Sequence, residues 1–110
     1  LVSRGILFDV NSDRLKPESY GVLKEIATVL LENPTLRIRI VGHTDSDGDE
    51  RINEELSKKR ALAVKQALIN EFKIEASRME TDGKGENEPT DSNATAVGKA
   101  NNRRVEFLKM

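Results

Sequence analysis

The hydrophobic period of this chain changes once near its centre, and that change constrains the fold more than any other feature. Leu36, Ile38 and Ile40 alternate with Arg37 and Arg39. A period of two predicts a strand with one face buried and the other in water or against charged partners. Over about 49–72 the apolar spacing lengthens to that of a helix. A strand followed by a long amphipathic helix must lay that helix on a sheet. Between them lies His43-Thr44-Asp45-Ser46-Asp47-Gly48-Asp49-Glu50, which holds four carboxylates and the single histidine of the chain. The acids therefore sit at the carboxyl end of a strand. Asp47 or Asp49 is placed to cap the helix, its charge favourable beside the positive helix end.

The flanks complete the sheet. Ile6-Leu7-Phe8-Asp9-Val10 is a short apolar run stopped by Asn11-Ser12-Asp13, which predicts a first strand over 6–10 entering a polar turn. Pro17 suits the first turn of a helix, and Tyr20, Leu23, Ile26, Ala27 and Leu30 follow at helical spacing until Asn33-Pro34. Lys73-Ile74-Glu75 breaks the long helix; Arg78-Met79-Glu80-Thr81 reads as a weak third strand and Arg104-Val105-Glu106-Phe107-Leu108 as a fourth. The stretch 83–100, rich in Gly, Asn, Asp and Thr, reads as an ordered loop with one helical turn after Asn93 or Thr95. The order β-α-β-α-β-β gives an α+β fold, a two-layer βαβαββ sandwich with a mixed sheet and helices on one face. At 110 residues it is read as one domain over 1–110, with a single core. Strand-like sequence begins almost at once after Leu1-Val2-Ser3-Arg4, which reads as a domain taken from a longer protein.

Charge and composition remove several classes of function. The 18 Lys and Arg are offset by 19 Asp and Glu, so no overall field favours polyanions and no nucleic-acid partner is expected. The absence of cysteine removes disulfides and thiolate metal sites. No apolar run reaches the roughly 18 residues of a membrane helix, and no signal pattern opens the chain. The domain itself is therefore read as not membrane-inserted.

The acidic stretch admits three readings. A calcium loop of the EF-hand type needs Gly at position six and Glu at position twelve; counted from Asp45, the glycine comes at the fourth position and Leu56 stands at the twelfth. Only a looser cation-binding loop survives, and His43 without a second His or Cys makes a poor transition-metal site. A hydrolase could use His43 with Ser46 or Ser57 and an aspartate, or a carboxylate pair. There is no Gly-x-Ser-x-Gly elbow, and carboxylate pairs discriminate little among 19 acids. No enzyme, cofactor or metal is expected on these grounds, and His43 is assigned to shaping the loop.

The third reading, a polar cradle, comes from the long helix. At about 100° per residue with Ile52 as origin, Ala63 falls at about 20°, Leu56 at about 40°, Ala67 at about 60°, Val64 at about 120° and Leu68 at about 160°. Arg60, at about 80°, and Asn53, at about 100°, point into the middle of that arc. An unpaired guanidinium in apolar surroundings costs several kcal/mol, so something negative must meet Arg60. An internal ion pair or backbone carbonyls would serve. Alternatively Arg60 and Asn53 line a cleft with the acidic loop, where Asp45 and Arg60 would form a dipolar pair. Such a pair suits an amino-acid head group, Arg taking the carboxylate and Asp the ammonium.

Val41-Gly42-His43-Thr44-Asp45, then Gly48, then Asn53-Glu54-Glu55-Leu56-Ser57-Lys58-Lys59-Arg60-Ala61 resembles the G-H-T-D-x-x-G and N-x-x-L-S-x-x-R-A signature of OmpA-like C-terminal domains. These periplasmic modules bind peptidoglycan and occur in outer-membrane porin-like proteins, peptidoglycan-associated lipoproteins and flagellar stator proteins. The resemblance extends over nearly the whole chain: Phe8-Asp9 to the first strand, Gly83 to Pro89 to the G-x-G-E-x-x-P loop, and Asn93 with Asn102-Arg103-Arg104-Val105 to the closing N-R-R-V. It implies that Asp45 and Arg60 hold the amino and carboxyl groups of the diaminopimelate residue of a stem peptide. Asn53 would act as a direct contact or behind one, and Asn11 and Arg103 are further carry-overs. The implied function is non-covalent anchoring of an envelope protein to the cell wall, in the periplasm, with the domain attached to an outer-membrane or lipidated N-terminal part. Two departures stand out: Ile52 replaces the usual Tyr before Asn53, and Gly98-Lys99-Ala100 replaces Gly-Arg-Ala, with loss of bidentate geometry. The 82–91 loop is also unusually acidic. The competing expectation is a structural or protein-interaction domain of the same fold with an altered cleft.

Overall fold

The structure is a computed structural model and describes residues 2–3 and 5–110. Among the described residues, β1 (Val2–Ser3), β2 (Ile38–His43), β3 (Met79–Gly85) and β4 (Arg104–Lys109) form one sheet in the order β1-β4-β2-β3. Central β2 pairs antiparallel with β4 and parallel with β3, so the sheet is mixed, as the element order implied. A parallel neighbour needs a crossover, and α2 (Glu50–Phe72) supplies it. α1 (Tyr20–Glu32) precedes β2, and α3 (Ala96–Asn102) occupies the expected loop, begun by Thr95, whose Oγ1 accepts from Gly98 N at 2.9 Å.

The core lies between sheet and helices. Ile38 and Ile40 of β2, Met79 of β3 and Val105 and Phe107 of β4 pack with Leu23, Ile26 and Leu30 of α1 and with Ala61, Val64 and Leu68 of α2. The period of two that ends at Ile40 is thus the core face of β2. Beyond it the burial becomes two-sided, because Val41 and His43 are also buried on the opposite face.

The predicted first strand over 6–10 is corrected. That segment makes only an isolated bridge, Phe8 to Leu15, and the edge strand is Val2–Ser3, antiparallel to β4. The physical reason is local satisfaction of its backbone. Buried Ser19 accepts from Leu7 N at 2.7 Å and donates to Leu7 O at 2.9 Å, and Lys16 N donates to the same carbonyl at 2.8 Å. Ile6 reaches the core without a ladder.

The helix wheel is also corrected in phase. Ile52 is 62% exposed, while Ser57 and Ala61 are buried with Val64, Ala67 and Leu68. The buried arc is therefore centred past Val64, and Arg60 lies at its edge, half-buried. Small residues set this phase. A Cβ on Gly42 would lie 2.5 Å from Ser57 O, and one on Gly83 would lie 2.3 Å from Lys58 N. Backbone of α2 therefore rests directly on β2 and β3. At the contact Ser57 Oγ accepts from Gly85 N at 2.9 Å and donates to Glu54 O at 2.8 Å.

Candidate ligand-binding cleft

A cleft of about 600 Å³ opens where the carboxyl end of β2, the start of α2, the turn after Phe8 and the start of β4 meet. Asn11, Asp45, Asn53, Arg60 and Arg103 all line it. Residues from four separate stretches of chain thus converge on one open site, although their individual partners differ from those expected.

Asp45 ends the run of buried residues that begins at Ile40, and its carboxylate is held on both sides. Oδ1 accepts from Asp47 N at 2.9 Å, while Oδ2 pairs with Nη1 of Arg103. The dipolar pair of Asp45 with Arg60 is not formed directly. Arg60 instead donates through Nε to Ser12 O at 2.8 Å and through Nη2 to Asp9 O at 3.4 Å. Its guanidinium carbon lies 4.9 Å from the centre of the Phe8 ring, within cation–π range. Burial pulls its pKa below the ordinary value, with Asp13 and then Asp45 opposing that pull, and a guanidinium stays charged regardless. The anionic partner demanded by the wheel is therefore met by carbonyl dipoles and by the field of nearby acids.

Asn11 explains those carbonyls. Its φ of 53° is left-handed, a conformation Asn tolerates better than most residues. The turn it makes, with Ser12 N donating to Asp9 O at 3.1 Å, lies between the two oxygens that Arg60 holds. Asn53 has a similar positioning part: its amide donates to Asp47 O at 2.8 Å and, at longer range, to Asp45 O and to Glu86 Oε1.

The four acids of 43–50 separate by partner. Asp45 meets Arg103. Asp47 meets Lys99 at 2.9 Å, so it is not a cap. Asp49 is the cap, its Oδ1 accepting from Arg51 N at 2.9 Å and Ile52 N at 3.2 Å. Glu50 is exposed. Among the described residues no group of three or more His, Asp or Glu could hold a metal ion.

His43 does not shape the loop as expected. Its ring is 2% exposed, with Nε2 at 2.7 Å from Glu106 Oε1 but off the N–H direction, so neither ring nitrogen makes a well-formed hydrogen bond. Burial, and then the charge of Arg104, hold its pKa below the ordinary 6.5 against the opposing pull of Glu106.

Sequence reasoning passed over the residues that build the walls. Arg104 is buried and donates to Glu106 Oε1 and Glu88 O, each at 2.9 Å. Asn102 is fully buried: Oδ1 accepts from Thr90 N at 2.8 Å and Asp91 N at 2.9 Å, and Nδ2 donates to Asp91 O and Asn93 Oδ1, both at 2.9 Å. Asn102 thus staples the loop beside the cleft. The signal available for both was their place in the N-R-R-V motif.

Comparison with known proteins agrees with the fold. The model of the OmpA family matches residues 7–103. Outer membrane porin F of Pseudomonas aeruginosa is 40% identical over 105 residues, which are 96% of this chain and 30% of the porin. The peptidoglycan-associated lipoprotein from Burkholderia pseudomallei superposes with a TM-score of 0.84 at 28% identity, covering 96% of this chain and 88% of the lipoprotein chain. The cell wall anchor of the T6SS from Pseudomonas aeruginosa superposes with a TM-score of 0.82 at 31% identity, over 94% of this chain and 74% of that one. Against the porin and two other matched relatives, this chain spans between 28% and 46% of their length.

Proposed function

The chain belongs to the OmpA family, and from that premise we propose that its cleft binds peptidoglycan non-covalently, at the diaminopimelate residue of a stem peptide. The observation that carries this reading is the convergence of Asp45 and Arg60 on one open cleft. Asp45 takes the ammonium of the head group. Arg60, fixed from behind by Ser12 O and Asp9 O, takes the carboxylate through its remaining N–H groups. Asn53 and Asn11 hold the two loops that carry these contacts, and Arg103 faces the same space. No bond is made or broken, so the product of the site is attachment.

The relatives named as an outer-membrane porin, a peptidoglycan-associated lipoprotein and a cell wall anchor support an envelope setting. We place this domain in the periplasm, as the carboxyl-terminal module of a longer protein held at the outer membrane by a barrel or a lipid.

Calorimetric titration with the tripeptide L-Ala-γ-D-Glu-meso-diaminopimelate, and with its Lys analogue, tests the reading. The diaminopimelate peptide should bind at least about tenfold tighter, because the analogue lacks the carboxylate and leaves a half-buried guanidinium unmatched. Asp45→Asn and Arg60→Ala should each abolish binding, while Asp47→Asn and Asp49→Asn should largely spare it. If neither peptide bound the folded protein, a same-fold interaction domain would replace this reading. If Asp47 and Asp49 mattered as much as Asp45, a cation-binding loop would replace it.

A further inference from the structure

Beside the cleft lies a buried polar cluster to which the binding reading gives no task. His43 and Arg104 stand opposite each other in the β2–β4 ladder and both line the cleft, with side chains at most 3% exposed. One oxygen serves the two of them. Oε1 of Glu106 accepts from Nη2 of Arg104 at 2.9 Å and lies 2.7 Å from Nε2 of His43. Both ring nitrogens and Nε of Arg104 are buried without a well-formed hydrogen bond. Arg104 is also a tie: Nη2 donates to Glu88 O at 2.9 Å and Nη1 to Asn102 O at 3.2 Å. It thereby joins the loop after β3 and the end of α3 to β4. Ala100 and Asn101 of α3, and Arg103 just beyond it, form one wall of the cleft.

The remaining charges near the ring are wet. Glu88, with its side chain 59% exposed, lies 4.0 Å from Lys84, and Lys84 is held at 3.0 Å by Asp82, so water and pairing weaken their pull on a proton in the cluster. A neutral His43 leaves Glu106 to Arg104. A protonated ring is a second charged donor for the same oxygen, and Arg104 must then share it. The contacts that yield are those to the carbonyls of Glu88 and Asn102, because residues 87–92 of that loop are exposed and the sheet is not.

We propose that His43 is a positioning residue of the cleft that acts through Arg104: neutral, it lets Arg104 hold the wall built by 86–103 in place for the ligand, and protonated, it competes for Glu106 and loosens that wall. This rests on the peptidoglycan reading above and adds control by acid to it. Burial, and then Arg104, already hold the proton off the ring below the ordinary 6.5. A bound peptide covers the cleft and fixes its wall, and both disfavour the charged ring, so the pKa of His43 falls further on binding. By linkage, affinity is complete above the pKa of the free domain and declines as pH falls through it, and binding inside that window releases protons. Carboxylates and ammonium groups ordinarily titrate outside about pH 5.5 to 7.5. The chain has no other histidine, so the window belongs to His43.

The test uses the diaminopimelate tripeptide acetylated at its alanine nitrogen, which removes the ligand's own amino terminus from the titration. The ring resonances of the single histidine, followed by NMR from about pH 8 to 5 with and without saturating peptide, read the coupling in the wild-type domain. The midpoint should lie lower with peptide bound by about 0.5, equivalent to about a threefold loss of affinity at the acid end. Calorimetric titration over the same range should show that loss. A midpoint unmoved by peptide, a ring that stays neutral throughout, or an affinity independent of pH would overturn the inference and leave the peptidoglycan reading standing. Failure to bind at about pH 7.5 would overturn both. Two variants separate control by the ring from packing. A folded His43→Asn should bind with an affinity that no longer varies with pH, and a retained acid decline would overturn the assignment. Glu106→Gln still accepts from Arg104 but no longer attracts a proton to the ring, so its acid decline should move to lower pH; an unmoved decline would overturn the shared carboxylate as the link.

Discussion

His43 is the residue whose chemistry departs most from its place in the sequence. It stands two positions before Asp45, yet its ring is buried on the sheet face away from the helices, beside Arg104 and Glu106 of β4. Its pKa is lowered in the folded protein, above all by burial. The unfolded chain therefore takes up the proton first, and stability rises with pH through the window below 6.5. The stabilisation is complete above that value and is lost as pH falls toward the folded pKa. Thermal melts across about pH 5 to 8 should show the midpoint dropping on the acid side of neutrality, and His43→Asn should flatten that slope, since the chain has no other histidine. A wild-type profile as flat as the variant's would contradict the assignment. At this scale the sequence identified Asp45, Arg60, Asn53, Asn11 and Arg103 as cleft residues, but not their pairings. A side chain's partner depends on distances across the fold, and Asp45 meets a residue 58 positions away.

At the scale of elements, the period of the hydrophobic pattern located α1, α2, β2 and β4, and the caps located their ends. Asp49 starts α2, and Lys73, with φ of 59°, ends it, its N–H donating to Ile69 O at 3.1 Å. Other ends depend on distant residues. The C-terminal carbonyls of α1 are met by Arg78, which donates to Leu30 O and Asn33 O, each at 2.7 Å. No local pattern around Asn33 announces that partner. The approach of α2 to the sheet is the most demanding contact between elements. Gly42→Ala would drive a methyl into Ser57 O and should lower stability by about 1–3 kcal/mol in urea unfolding. Gly48→Ala is the control. Its Cβ would meet nothing within 4 Å, so only the strain of its φ of 86° remains, about 1 kcal/mol. Equal losses would mean that backbone conformation, and not the close approach, fixes these glycines.

At the scale of the molecule, the cleft exists because four stretches distant in sequence are carried to one end of the sheet. Binding there should stabilise the whole fold. At a peptide concentration of about one hundred times Kd, linkage predicts a gain of roughly 2.7 kcal/mol, readable as a raised melting temperature. Asp45→Asn should melt at the same temperature with and without peptide. A wild-type midpoint that did not move at that concentration would exclude binding, since a ligand held anywhere on the folded state raises it.

The sequence by itself determined the α+β order and the mixed sheet, narrowed the start of α2 to Asp47 or Asp49, and named residues that line the cleft, because periodicity, turn chemistry and spaced motifs are local properties. Tertiary structure alone decided that the 6–10 run is no sheet strand, since Ser19 satisfies its backbone from twelve residues away. It alone decided that α2 turns Ile52 to solvent, since glycines on two strands let the helix backbone at Ser57 and Lys58 rest on the sheet. The same holds for the electrostatics. Local sequence shows one acid before a helix and one arginine on it. Only the fold brings a second arginine, Arg103, to that acid across 58 positions of sequence.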